Sequence, residues 1–118
     1  MKRVLIVDDS KFSRKATRKV LESMGYEIIG EAVDGLDGVE KFKELAPYLV
    51  VTDLEMPNLD GIGMIKEIHQ HSDQAKIVVV TSIVNSHVVQ EAIKLKASII
   101  KKPIKEERLA NAVKLLDR

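Results

Sequence analysis

Asp8 and Asp9 follow the apolar run Val4–Val7, and Asp53 follows Leu49–Thr52. Thr81 and Ser82 close the run that starts at Ile77, and Lys101, Lys102 and Pro103 follow Ser98–Ile100. Three carboxylates, a hydroxyl and an ammonium have a definite use if they meet. Carboxylates within about 4–6 Å raise one another's pKa unless a cation intervenes. A hard divalent ion relieves that conflict, and Mg²⁺ takes one or two carboxylates, several waters and phosphate oxygens. Lysine adds a compact positive charge. Threonine adds one donor and two acceptor positions. Such a set suits phosphoryl transfer to a carboxylate, where an aspartyl phosphate is a known covalent intermediate. Catalysis of that transfer is mostly positioning and charge neutralisation.

Taken singly, each residue has an ordinary explanation. Asp9 or Ser10 can cap a helix. Asp53 can belong to the turn "EMPNLDG". Thr81 or Ser82 can cap another helix, and Lys102 can be solvated. The joint pattern is harder to assign to accident, because of the elements that carry it. Five apolar, β-branched runs stand out: Val4–Val7, Glu27–Ala32, Leu49–Thr52, Ile77–Thr81 and Ser98–Ile100. Four are continuous rather than alternating, as expected of strands covered on both faces.

Helical patterns lie between them. Phe12, Ala16, Val20 and Leu21 repeat at helical spacing, with Gly25 just past the end. Asp34 can cap a second helix with Leu36, Val39, Phe42 and Leu45 inward, stopped by Pro47. Ile62, Ile65 and Ile68 mark a third, and Val88, Val89, Ala92 and Ile93 a fourth. A fifth follows Pro103, with Glu106 and Glu107 in its first turn and Leu109, Ala112, Val113 and Leu116 inward. The order βαβαβαβαβα predicts an α/β, doubly wound parallel sheet with helices on both faces. In such sheets ligands bind beyond the carboxyl ends of the strands. Those are the ends where the acids, hydroxyl and lysine stand.

Composition narrows the alternatives. Hydrophobic residues make up 45% and charged residues 31%, an ordinary globular balance. There is no cysteine, which excludes disulfides, thiolate metal sites and thiol nucleophiles. A net charge of +1 excludes a strong whole-protein field for nucleic acid or membrane. No apolar run approaches the ~20 residues of a membrane span. No signal-peptide pattern opens the chain, so a cytoplasmic location is expected. The chain ends with its last helical pattern, and the expectation is one domain with no output domain attached.

The chain resembles a response-regulator receiver domain, in its single-domain, chemotaxis-type (CheY-like) form. The likeness rests on "VLIVDDS", "VVTDLEMPNLDG", "VVVTS" and "KKP" in this order, and covers essentially the whole chain. It implies a single receiver domain over residues 1–118, with the five-stranded flavodoxin-like (βα)5 fold and strand order 2-1-3-4-5. It implies that Asp53 accepts a phosphoryl group from a phosphohistidine on a histidine kinase. Asp9 would bind Mg²⁺ directly and Asp8 through water, with Asp53 and the backbone carbonyl of Glu55 as further ligands. Lys102 would contact Asp53 and then the phosphoryl group, and the Thr81 hydroxyl would turn toward the phosphoryl oxygens. The Lys102–Pro103 bond is often cis in such domains. The resemblance further implies a monomer that is not an ordinary enzyme. It would catalyse only its own phosphorylation and dephosphorylation, and switch binding of a downstream protein.

The chain departs from the family pattern between Thr81 and Lys102. The usual Tyr or Phe three residues before the lysine is Ile99. The usual Ala-Gly pair is Leu95-Lys96, and lysine tolerates positive φ less readily than glycine. The stretch is also one residue short. If the aromatic switch is lost, signalling is expected to pass through Asn85–Val89 with Ile99 changing little. The alternative is a pseudo-receiver, a protein-interaction module with impaired switching. Glu55 and Ile83, each two residues beyond a site residue, are expected to influence water access.

Lys11, Arg14, Lys15, Arg18 and Lys19 put positive charge on the first helix, either as a solvated face or as a kinase-docking surface. No nucleic-acid reading motif accompanies them. His69, His71 and His87 are expected at the surface. A phosphatase with an aspartate nucleophile usually wants acids two apart, and Asp8 and Asp9 are adjacent. A flavin site would want a Ser/Thr/Gly-rich loop after the first strand, where "DDSKFSRK" is charged.

Overall fold

In the computed structural model the described residues are 2–82 and 86–117. Five strands, β1 (Arg3–Val7), β2 (Glu27–Ala32), β3 (Leu49–Thr52), β4 (Lys76–Thr81) and β5 (Ser98–Lys101), alternate with five helices. The helices are α1 (Lys11–Ser23), α2 (Gly35–Leu45), α3 (Gly61–His71), α4 (His87–Lys94) and α5 (Glu106–Leu116). All strand pairs are parallel and the order is β2-β1-β3-β4-β5. This is the flavodoxin-like order, and strand β1 lies beside the point where the winding reverses.

The continuous apolar runs follow from burial on both faces. Leu5, Val7, Val50 and Val79 face one way, onto α2, α3 and α4. Val4, Ile6, Val51, Val78 and Ile100 face the other way, onto α1 and α5. Alternate side chains therefore serve two cores, and both positions along the strand are apolar up to the buried threonines at the ends of β3 and β4. Truncating a fully buried member such as Leu5 to alanine costs about 2–5 kcal/mol.

Each of the first four helices is capped by a side chain: Ser10, Asp34, Asp60 and Ser86 accept from the backbone N–H three residues on. The fifth starts after Lys105 without such a cap, with Glu106 and Glu107 in its first turn. Three apolar stripes differ from expectation; on α4, Val88 and Ile93 are exposed and only Val89 and Ala92 are buried. Leu36 is 54% exposed, not inward. The face of α2 that meets the core runs through Gly35, Gly38, Val39 and Phe42, and Leu36 stands about 100° round from Gly35. Phe12 is 84% exposed and Ala16 is exposed too. Of that stripe Leu21 is fully buried as expected, and helix α1 buries Thr17 beside it.

The chain between α4 and β5 closes without glycine. Lys96 adopts φ +69. Its N–H donates to Ile93 O at 2.9 Å, and the Ala97 N–H donates to Ala92 O at 3.1 Å. These are the two bonds of a Schellman cap, with lysine in the left-handed position. The register of β5 on β4 is kept, with Thr81 opposite Lys101. Ile99 is half-buried against the α2–α4 core. Ile83 and Asn85 lie outside the described residues; His87–Val89 form the first turn of α4.

Candidate functional site

The site is built at the carboxyl ends of β1, β3 and β5. Strand β3 ends at Thr52, and the next residue, Asp53, points its carboxylate into the cleft with 14% of the side chain exposed. Its Oδ1 accepts from the Leu54 N–H at 2.6 Å, and its Oδ2 accepts from Lys102 Nζ at 2.7 Å. Asp8 is buried beside it. Asp8 Oδ1 accepts from the Ser10 N–H at 2.9 Å, and Asp8 Oδ2 lies 3.4 Å from Lys102 Nζ. Ser13 Oγ is also 3.4 Å from that ammonium. One lysine thus serves two carboxylates. Its position follows from β5: the Lys102 N–H donates to Thr81 O at 2.9 Å, and the Lys102–Pro103 peptide is cis.

The electrostatics follow from this crowding. Burial pushes the Asp8 carboxyl up, and the Asp53 charge adds to the rise; the Ser10 N–H and Lys102 only partly offset it. Burial alone would lower the Lys102 ammonium, but its hydrogen bond to Asp53 and the charges of Asp53 and Asp8 carry it upward. Two acids and one ammonium leave an excess of negative charge in a half-enclosed cleft.

The loop after Asp53 is clamped to two helix starts. The Gly61 N–H donates to Leu54 O at 2.8 Å, and a Cβ on Gly61 would stand 2.6 Å from Asp53 O. The Gly35 N–H donates to Leu59 O at 2.9 Å, and a Cβ there would stand 2.1 Å from that oxygen. No other residue fits either place without moving the loop. Asn58, at φ +68, donates to Asp34 Oδ2 at 2.6 Å. The Asp37 N–H and then Asn58 hold the Asp34 carboxyl below the usual range.

Of the residues singled out by sequence, Asp8, Asp53 and Lys102 are in contact. Thr81 is buried at the end of the neighbouring strand. Asp9 and Glu55 are exposed. Asp8, Asp9, Asp53 and the Glu55 carbonyl, the ligands that the resemblance implies, would offer a metal only hard oxygen donors, a chemistry that suits Mg²⁺ and not a soft metal. Among the described residues no group of three or more acids or histidines forms a protein-only cage. Mg²⁺ does not require one, since it keeps several of its waters. Sequence reasoning missed the ion pair behind Asp8. Glu31, near the end of β2, takes Arg14 at 3.1 Å and Arg18 at 2.7 Å. These charges leave only Lys11, Lys15 and Lys19 as the exposed basic stripe of α1. Of the histidines, His71 and His87 are exposed, and His69 is half-buried.

Comparison with known proteins gives a consistent result. Residues 4–114 match the family model described as response regulator receiver domain. The chemotaxis protein CheY of Thermotoga maritima is 43% identical over 113 residues, which is 95% of this chain and 94% of that protein. The chemotaxis protein CheY of Bacillus subtilis is 39% identical over 112 residues, 94% of this chain and 93% of that one. Among solved structures, the CheX–CheY–BeF3–Mg²⁺ complex of Borrelia burgdorferi includes a chain that superposes with a TM-score of 0.91 at 28% identity. That match covers 99% of this chain and 90% of the other.

Proposed function

The chain belongs to the response regulator receiver domain family, and on that premise we propose that it is a stand-alone response regulator of a two-component phosphorelay, phosphorylated on Asp53 by a histidine kinase. The observation that carries this reading is the Asp53–Lys102 contact of 2.7 Å in a cleft shared with buried Asp8. A carboxylate oxygen of Asp53 forms a bond to phosphorus as the bond from phosphorus to the donor's imidazole nitrogen breaks. The imidazole leaves with the electron pair and takes a proton from solvent. Lys102 holds Asp53 in line beforehand and follows the phosphoryl oxygens afterwards. Thr81 offers its hydroxyl to one of those oxygens, a charge-assisted bond. Mg²⁺, held by Asp9, Asp53 and the Glu55 carbonyl with Asp8 reaching it through water, would neutralise the charge on the phosphoryl group.

The kinase is proposed to dock over α1. There the exposed Lys11, Lys15 and Lys19 flank an apolar groove lined by Phe12, Ala16, Val20, Pro103 and Ile104 that runs up to Lys102. An acidic, partly apolar donor surface complements it. No helix among the described residues is long and apolar enough to cross a membrane, and a cytoplasmic monomer suits a partner-switching role. Incubation with Mg²⁺ and a small acyl-phosphate donor should add one phosphoryl group, and Asp53→Asn should abolish the labelling. Undiminished labelling of the variant would place the acceptor elsewhere.

A second reading, the pseudo-receiver, is favoured by Ile99. Half-buried and without a ring, it lacks the bulk to swing between exposed and buried positions. Structures with and without beryllofluoride separate the readings. Movement in Asn85–Val89 with Ile99 fixed supports a rerouted switch. A rotamer exchange at Ile99 with that stretch fixed would overturn the rerouting, and no change on that face would favour the pseudo-receiver.

A further inference from the structure

We propose that Arg14, anchored by Glu31, is a positioning residue that fixes the Asp8–Asp9 peptide and so sets how both carboxylates face the divalent cation. The inference rests on the Mg²⁺ reading of the site above. Arg14 lies on the first turn of α1 with 14% of its side chain exposed. Its Nη1 donates to the backbone carbonyl of Asp8 at 2.7 Å, and its Nε donates to Glu31 Oε1 at 3.1 Å. The other Glu31 oxygen takes Arg18 Nε at 2.8 Å, and the Glu31 backbone carbonyl takes Lys41 Nζ at 2.5 Å. Burial would raise the Glu31 carboxyl, but the two arginines hold it below the usual range, so it is a permanent anchor at neutral pH.

The Asp8–Asp9 peptide joins the two acids. The Asp8 N–H donates to Ala32 O at 3.0 Å, its side chain is held by the Ser10 N–H, and its carbonyl is held by Arg14. The Arg14 tie comes from a side chain on α1 and holds the carbonyl, whereas the other side-chain tie, Lys102 at 3.4 Å, reaches only the carboxylate. A planar fork can hold the carbonyl and the carboxylate at once; an ammonium is a point donor with no such fixed angle. Supports of this kind behind a metal ligand commonly matter about tenfold or more in affinity.

Charge and geometry predict opposite results, which makes the test decisive. As a bare positive charge beside the site, Arg14 would repel Mg²⁺, and its removal would tighten binding. As a positioning residue its removal weakens binding. The experiment titrates the whole protein with Mg²⁺, following the melting temperature and the backbone amide spectrum, for wild type, Arg14→Lys, Arg14→Met and Glu31→Gln. The expected result is a Kd raised about tenfold in Arg14→Lys and Arg14→Met and less in Glu31→Gln. The Mg²⁺-induced shifts of Asp9 and Ser10 should shrink at a given Mg²⁺ concentration while the rest of the spectrum stays native. A purely structural role would lower the melting temperature and leave the Kd unchanged. That outcome, or tighter binding by Arg14→Met, overturns the proposal. The conservative Arg14→Lys and Glu31→Gln keep the test open if Arg14→Met does not fold. A wild-type protein without any Mg²⁺ response overturns the metal reading itself, and this inference with it.

Discussion

At the scale of single residues, the site is held in a state that opposes its own stability. Asp8 is a buried carboxylate whose pKa is raised by burial first and by Asp53 second. A raised carboxyl stabilises the fold only below its ordinary pKa, and that contribution is lost as pH rises through the raised value. At neutral pH Asp8 is therefore a cost. Asp8→Asn removes it without orphaning Lys102, which keeps Asp53 at 2.7 Å. With chelator present, the variant should melt higher. With Mg²⁺ the ranking should narrow or reverse, because the cation stabilises the wild type by linkage. In Asp8→Ala/Asp9→Ala the Mg²⁺-dependent shift should vanish. Thermal melts at fixed pH check all three, and a full shift in the double variant would contradict the ligand assignment. The acids were legible because each stands where an apolar strand ends. The Arg14–Glu31 pair was not, since the two residues are 17 apart in sequence and on different elements.

At the scale of elements, sequence periodicity located every strand and helix, and it misjudged in part how three helices, α1, α2 and α4, face the core. Helix α1 reverses the usual sorting, with Thr17 inside and Phe12 outside. Helix α2 meets the core through Val39 and Phe42, as expected, and through Gly35 and Gly38, which carry no apolar signal, while Leu36 is exposed. The α4–β5 joint shows a related conflict between residue and backbone. The sequence suggested that lysine would resist the glycine conformation, yet Lys96 adopts it at φ +69. Left-handed backbone costs a non-glycine residue roughly 1–2 kcal/mol. Lys96→Gly should therefore stabilise the domain by about 0.5–1 kcal/mol, part of the relief being offset by glycine's unfolded-state entropy. Lys96→Val should destabilise it. Denaturant melts measure both. The same substitution reports on a neighbour: burial first, and the Lys96 charge second, lower the His69 pKa. Lys96→Gly should raise the His69 pKa as read by NMR titration, and an unchanged value would show that burial alone sets it.

At the scale of the whole molecule, the two ends of the sheet have separate tasks. The carboxyl ends gather the acids and Lys102. The amino ends are tied by Asp117, just past α5, which takes Lys76 at 2.5 Å, Tyr48 Oη at 2.5 Å and Lys2 at 3.6 Å. Lys76 and then Tyr48 draw the Asp117 carboxyl down from an ordinary 3.8 to about 2. A depressed carboxyl stabilises the fold above its ordinary pKa, and the contribution is lost as pH falls from about 4 toward 2. Asp117→Asn should flatten the pH dependence of stability across that window, and the flattening should shrink at high salt because the cluster is exposed. Acid melts of both proteins show it. Such a clamp lies far in sequence from its partners and left no local pattern to read, whereas the doubly covered strands left a plain one. At the other end, the cleft of Asp8, Asp53 and Lys102 carries the proposal that Asp53 is the phosphoryl acceptor. The direct measurement is to phosphorylate the wild-type protein from a phosphohistidine donor, reduce the acyl phosphate with borohydride and locate the modified residue by tandem mass spectrometry. The account predicts modification at Asp53 alone, and only when Mg²⁺ is present; modification at another carboxylate, or equal modification in chelator, would contradict it.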